Sequence, residues 1–122
     1  MPITYEIDAK QRLVTSYHTG IVTDEEIHAH RQRVRRDPDF NPNYRQLIDL
    51  SGITEARVST NAVTSAATDQ FYTPGTRRAF VATTDATFGL ARMFALRAEG
   101  EGQTIEVFRD RKKAIEWLGI ED

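Results

Sequence analysis

The order in which hydrophobic patterns follow one another constrains this chain more than any single motif. In "ITYEI", Tyr5 and Ile7 alternate with polar neighbours, as do Leu13, Thr15 and Tyr17 in "LVTSYHT". Period-two alternation predicts half-buried strands, and the short turn "DAKQ" between them predicts a hairpin. Gly20 then breaks the pattern and a helix follows. Thr23, with Glu26 three residues on, reads as a capping box, and Val22 and Ile27 are placed as the apolar staple around it. Asp24, Glu25 and Glu26 fill the first turn and Arg33, Arg35 and Arg36 the last, both signs matching the helix dipole. Asp37-Pro38 stops the helix.

From there strands and helices take turns. After the loop "DPDFNPNY", Gln46–Asp49 reads as a short apolar strand that runs into a turn. A second helix is expected from about Thr60 to Phe71, with Ala62, Val63, Ala66, Ala67 and Phe71 on one face. "RAFVAT" is the next strand, and its unbroken apolar centre predicts burial on both faces. "DATFGLARMFALRAEGEG" forms a third helix closed by its glycines, and "TIEVF" the last strand. Asp110 caps "RKKAIEWL", which Gly119 ends with Ile120 as the apolar residue beyond it. The order ββαβαβαβα predicts an α/β fold, an N-terminal hairpin and then alternating βα units around a mostly parallel central sheet. At 122 residues, with no internal repeat or linker, the chain reads as one domain with one core.

Composition narrows the function. A net charge of −2 gives no general attraction to nucleic acid or to an anionic membrane. Without cysteine there is no disulfide framework, thiol nucleophile or cysteine zinc site. The most apolar window, "FGLARMFAL", is short and broken by Arg92, so no membrane insertion is expected. "MPITYEID" lacks the basic and apolar regions of a signal peptide, and a cytoplasmic location is the expectation.

Three segments carry a family resemblance. "LIDLSGIT" resembles the central strand and turn of the STAS superfamily, the SpoIIAA-like fold of anti-sigma-factor antagonists. "FGLARMF" and "IEVFRDRKKAIEWLG" are similar to the small bacterial SpoIIAA-like proteins called STAS/SEC14-domain proteins. The resemblance covers nearly the whole chain and implies a binding or regulatory role rather than catalysis. In antagonists of the phospho-switch type, an Asp-Ser pair and a glycine open the helix after that turn, and a partner kinase phosphorylates the serine. Here the run is "EARVSTNAV": no acid directly precedes Ser59, and Asn61 stands where the glycine would be. On the residues alone, a hydroxyl of Ser59 or Thr60 at a helix start is an N-cap. The resemblance adds a phosphoacceptor reading of the same pair.

Other constellations have plain explanations. His28 and His30 are two apart on a helix and point in different directions, so they do not share a metal; His18 stands alone on a strand. No nucleophile elbow, P-loop or dinucleotide fingerprint is present, and neither an enzyme nor a cofactor is expected. The third helix is unusual. Apolar residues cover more than one of its faces, and Arg92 and Arg97 are its only charges between Phe88 and Ala98. Phe88, Leu90, Met93 and Phe94 are therefore candidate interface residues, with a homodimer the first expectation and deeper burial or an apolar ligand the others. Open α/β sheets bind ligands beyond the carboxyl ends of their strands. Asp49, Ser51, Thr84 and Asp85 follow such ends, and with Ser59 and Thr60 they form a candidate rim for a ligand or phospho-switch. The leading expectation is a non-catalytic module acting through protein contacts with a regulatory partner. A carrier or sensor of a small apolar or lipid-like ligand is the alternative.

Overall fold

The computed structural model describes residues 2–122. β1 (Ile3–Asp8) and β2 (Leu13–Thr23) form an antiparallel hairpin, and β3 (Arg45–Arg57), β4 (Arg77–Val81) and β5 (Thr104–Phe108) extend it in parallel. The strand order is β1-β2-β3-β4-β5, so every crossover steps in the same direction. Right-handed crossovers that never reverse put their helices on one face of the sheet. That face carries α1 (Asp24–Arg36), α2 (Thr60–Thr68) and α3 (Asp85–Glu99), while α4 (Arg111–Leu118), which follows the last strand, covers the other. The α/β class and the mostly parallel sheet are as the pattern predicts.

The core divides along the same plane. Ile48, Leu50, Phe80 and Ile105 meet Ala67 of α2 and Ala91, Ala95 and Ala98 of α3 on one side. Leu13, Leu47, Ala79 and Val81 meet Ala114, Ile115 and Leu118 of α4 on the other. The helix ends follow their caps. Thr23 and Glu26 close a reciprocal capping box on α1. Thr84 accepts from the Thr87 amide, and Asp110 from that of Lys112. Gly119 takes φ 71°, and the Gly119 and Ile120 amides return to the last carbonyls of α4.

Three expectations about element boundaries are corrected. Gly20 does not end β2: it adopts φ 68° inside a strand that continues to Thr23, and the pairing register shifts between Gly20 and Ile21. β3 does not turn at Asp49 but runs on to Arg57 beside the lengthened β2. Its register against β2 slips twice, once between Asp49 and Gly52 and once between Ile53 and Glu55, each time with an extra residue on β3. The first bulge carries the local bonds that resemble a turn, the Ser51 amide and hydroxyl both donating to Asp49 Oδ1 at 2.9 and 2.6 Å. α2 stops at Thr68, short of Phe71, where Thr68 Oγ1 bonds back to the Thr64 carbonyl and Asp69 is held by Arg31 and Arg35.

Candidate functional site

A partly enclosed cavity of about 120 Å³ lies between the three-helix face of the sheet and α1, α2 and α3. Its walls are chiefly hydrocarbon: Ile48, Leu50 and Ile53 from β3, Phe80 from β4, Leu90 and Phe94 from α3. Small residues make the room. Ala62 and Ala66 of α2 and Ala91 of α3 line it, where larger side chains would fill it. For scale, an engineered apolar cavity of ~150 Å³ stays dry and takes up benzene.

One end of this cavity is polar, and Arg78 organises it. Arg78 faces inward because it is in phase with Phe80 along β4, and only 5% of it is exposed. Three glutamines hold its guanidinium. Nε donates to Gln46 Oε1 at 2.8 Å, and Nη1 donates to Gln70 Oε1 at 2.6 Å and Gln103 Oε1 at 3.2 Å. The guanidinium lies 4.3 Å from the centre of the Tyr72 ring and 5.6 Å from that of Phe94. None of the ion pairs among the described residues includes Arg78. Burial pushes its pKa down to about 10, still protonated at neutral pH. Tyr72 also lines the cavity; its hydroxyl is buried without a partner, and burial raises its pKa above the ordinary value. Arg31, the other lining arginine, is by contrast paired with Asp69 at 3.4 Å.

A second polar pair sits at the α1 side. His18 of β2 and His30 of α1 meet edge to face with ring centres 5.7 Å apart, so His18 is not alone. Both line the cavity and both are buried. Desolvation lowers His18 to about 4 and His30 to about 3, the latter also through His18 and the neighbouring Arg33 and Arg31. Ser16 Oγ lies 3.0 Å from His30 Nε2, and His30 Nδ1 has no partner. A serine beside a histidine suggests a nucleophile and its base. Here the serine is fully buried and outside the cavity lining, no acid orients Nδ1, and the imidazole is far too weak a base at neutral pH. His28 is exposed, which separates it from His30. Among the described residues no group of three or more His, Asp or Glu is placed to hold a metal ion.

The six residues proposed as a rim are not joined into one site. Asp49 pairs with Arg111 of α4 at 3.1 Å on the sheet face opposite the cavity, with Ser51 bonded beside it. Ser59 caps α2 and is bound to Asp24 at the start of α1. Thr60 is the first, exposed residue of α2. Thr84 caps α3 and touches the cavity wall only through Thr87, 2.7 Å from it, while Asp85 pairs with Arg109 at 2.8 Å. The apolar residues of α3 fall elsewhere. Leu90 and Phe94 line the cavity, Phe94 resting on Phe80 with ring centres 5.2 Å apart. Phe88 lies beneath the Arg109 guanidinium at 4.3 Å, and Met93 is half-buried. Leu96 of α3 and Ile21 of β2 are the large apolar residues left exposed among those described.

Arg78, Tyr72 and Gln46 were not singled out in the sequence, yet one signal was there. In "RAFVAT" the arginine alternates with Phe80 and Ala82, which assigns it to a buried face.

No family model and no curated protein matches this chain. Among solved structures it is similar to an uncharacterized protein of the DUF3478 family from Shewanella loihica PV-4, which has a SpoIIAA-like fold. The two superpose with a TM-score of 0.62 at 16% sequence identity, over 95% of this chain and 93% of the other. The chain has a SpoIIAA-like fold. The resemblance carried by "LIDLSGIT" and the C-terminal segments thus holds at the level of fold. Among the described residues no helix is long and apolar enough to cross a membrane.

Proposed function

We propose that this protein is a non-catalytic binding module that takes a small, largely apolar molecule into the cavity beneath α1, α2 and α3. The cavity itself carries the reading: an apolar space of about 120 Å³, walled by Ile48, Leu50, Phe80, Leu90 and Phe94, where a well-packed interior would have none. Its position supports a carrier or sensor. A ligand there touches three helices and the central strands at once, so occupancy is felt across the whole face. The Ser16–His30 pair, with its serine buried and its imidazole too weak a base at neutral pH, favours binding over catalysis. Action through a protein partner or a second copy of the chain has less support, because three of the four α3 candidates are engaged within the subunit.

The test is uptake of a small hydrocarbon. Benzene titrated into the protein should shift the methyl resonances of Ile48, Leu50 and Leu90 and raise the thermal midpoint by mass action. Ala66→Met, which fills the space, should abolish both effects. A wild-type protein whose spectrum ignores benzene is not a carrier of this kind.

A further inference from the structure

We infer that the molecule this cavity takes is a small carboxylate, its hydrocarbon part about the size of one ring and its anionic head on Arg78 and Tyr72; this rests on the cavity being the binding site. Buried charges in proteins are paired or neutralised, because an unpaired one loses its hydration and gains nothing in return. Arg78 breaks that rule within the subunit. Its three hydrogen-bond partners are all neutral glutamine oxygens, which hold the guanidinium in place but do not cancel its charge. They engage Nε and Nη1, not Nη2.

Tyr72 supplies a second donor at the same end. Its hydroxyl belongs to a residue only 3% exposed and has no partner, although buried tyrosine hydroxyls ordinarily find one. A carboxylate oxygen satisfies both deficits: it accepts from Nη2 and from the Tyr72 hydroxyl and balances one positive charge. Charge-assisted bonds of this kind are the strong ones. The charge of the ligand follows from the count. Arg31 is in contact with Asp69, which it shares with Arg35, and His18 and His30 are neutral, so Arg78 is the lining arginine with no carboxylate beside it, and one negative charge balances it. The size follows from the volume, and the apolar remainder from the walls.

Benzoate and its neutral isostere benzamide, with benzene as the uncharged reference, decide the matter by calorimetry and ligand-observed NMR at pH 7. Benzoate should bind at least tenfold more tightly than benzamide. Tyr72→Phe should weaken benzoate about three- to tenfold and leave benzene unchanged. Arg78→Met should erase the preference for the anion; should it fail to fold, the wild-type comparison and Tyr72→Phe stand without it. Benzamide binding as well as benzoate, with benzene still taken up, overturns the carboxylate and leaves the cavity reading intact. If benzene, benzamide and benzoate are all refused, both readings fall. A benzoate preference that survives both substitutions places the anion elsewhere and overturns this assignment.

Discussion

Ser59 serves two helices with one hydroxyl. Its Oγ accepts from the Ala62 amide at 3.0 Å, capping α2, and donates to Asp24 Oδ2 at 2.7 Å, at the first residue of α1. Its amide donates to the other oxygen of the same carboxylate at 2.8 Å. These bonds hold the Asp24 carboxyl below its ordinary pKa, the hydroxyl contributing most. Removing the cap with Ser59→Ala should cost about 1 kcal/mol in urea unfolding. A negative group at this position meets opposing influences. The helix N-terminus favours it, and the Asp24 carboxylate, already in contact, repels it. Ser59→Asp should therefore be less stable than Ser59→Ala, and adding Asp24→Asn should reverse that order. If Ser59→Asp matches Ser59→Ala with Asp24 in place, the carboxylate is no obstacle, and a phosphate at Ser59 would be accommodated without parting the two helices.

At the scale of the element, β3 decides how the sheet is built. Its two bulges bring Leu50, Ile53 and Ala56 toward the cavity although they are spaced by three. That spacing is why the segment after Asp49 does not read as a strand in the sequence. Period two is lost, and the local Asp49–Ser51 bonds imitate a turn. Elements whose signals are local were legible: the capping box at Thr23, the cap at Asp110, the Gly119 terminus, and the period-two hairpin. The cavity was not, because its lining is drawn from three helices and three strands and no short window contains it. Only the in-phase arginine of β4 hinted at it. The bulges also fix a glycine. A Cβ on Gly52 would stand 2.8 Å from Thr19 Cγ2 and 3.0 Å from the His18 carbonyl oxygen, and the latter is backbone that cannot swing aside. Gly52→Ala should destabilise by about 1–3 kcal/mol through overpacking. Gly89, inside α3 with nothing within 4 Å of an added Cβ, gives the opposite sign. Gly89→Ala should stabilise by about 0.5–1 kcal/mol. Denaturation midpoints of the two variants check the contrast, and a Gly52→Ala protein as stable as the parent refutes the close approach of β2 and β3.

For the whole molecule, the unreversed crossovers crowd three helices onto one face and bury on it the groups that respond to pH. His18 and His30 lie under α1, with Ser16 and Tyr5 packed against them, and their pKa values fall to about 4 and about 3. In the unfolded chain a histidine titrates near 6.5. Above that pH both states are neutral and the pair contributes no pH dependence. Below it the unfolded chain binds protons that the folded one refuses, so stability is lost as pH falls from 6.5 toward the folded values. Each histidine should remove up to about 1.4 kcal/mol per pH unit in that window. Between pH 6.5 and pH 5 the pair should then cost about 3 kcal/mol, above the range in which the carboxylates titrate. The protons would also arrive beside Arg31 and Arg33, whose charges already disfavour them. Urea unfolding at pH 7 and pH 5 should show the midpoint falling with an unchanged m-value. His18→Gln, whatever it does to stability at pH 7, should roughly halve the slope between the two. A midpoint that stays level from pH 7 to pH 5 would mean that the histidines accept protons in the folded state, and that the face beneath α1 is wetter than its packing implies.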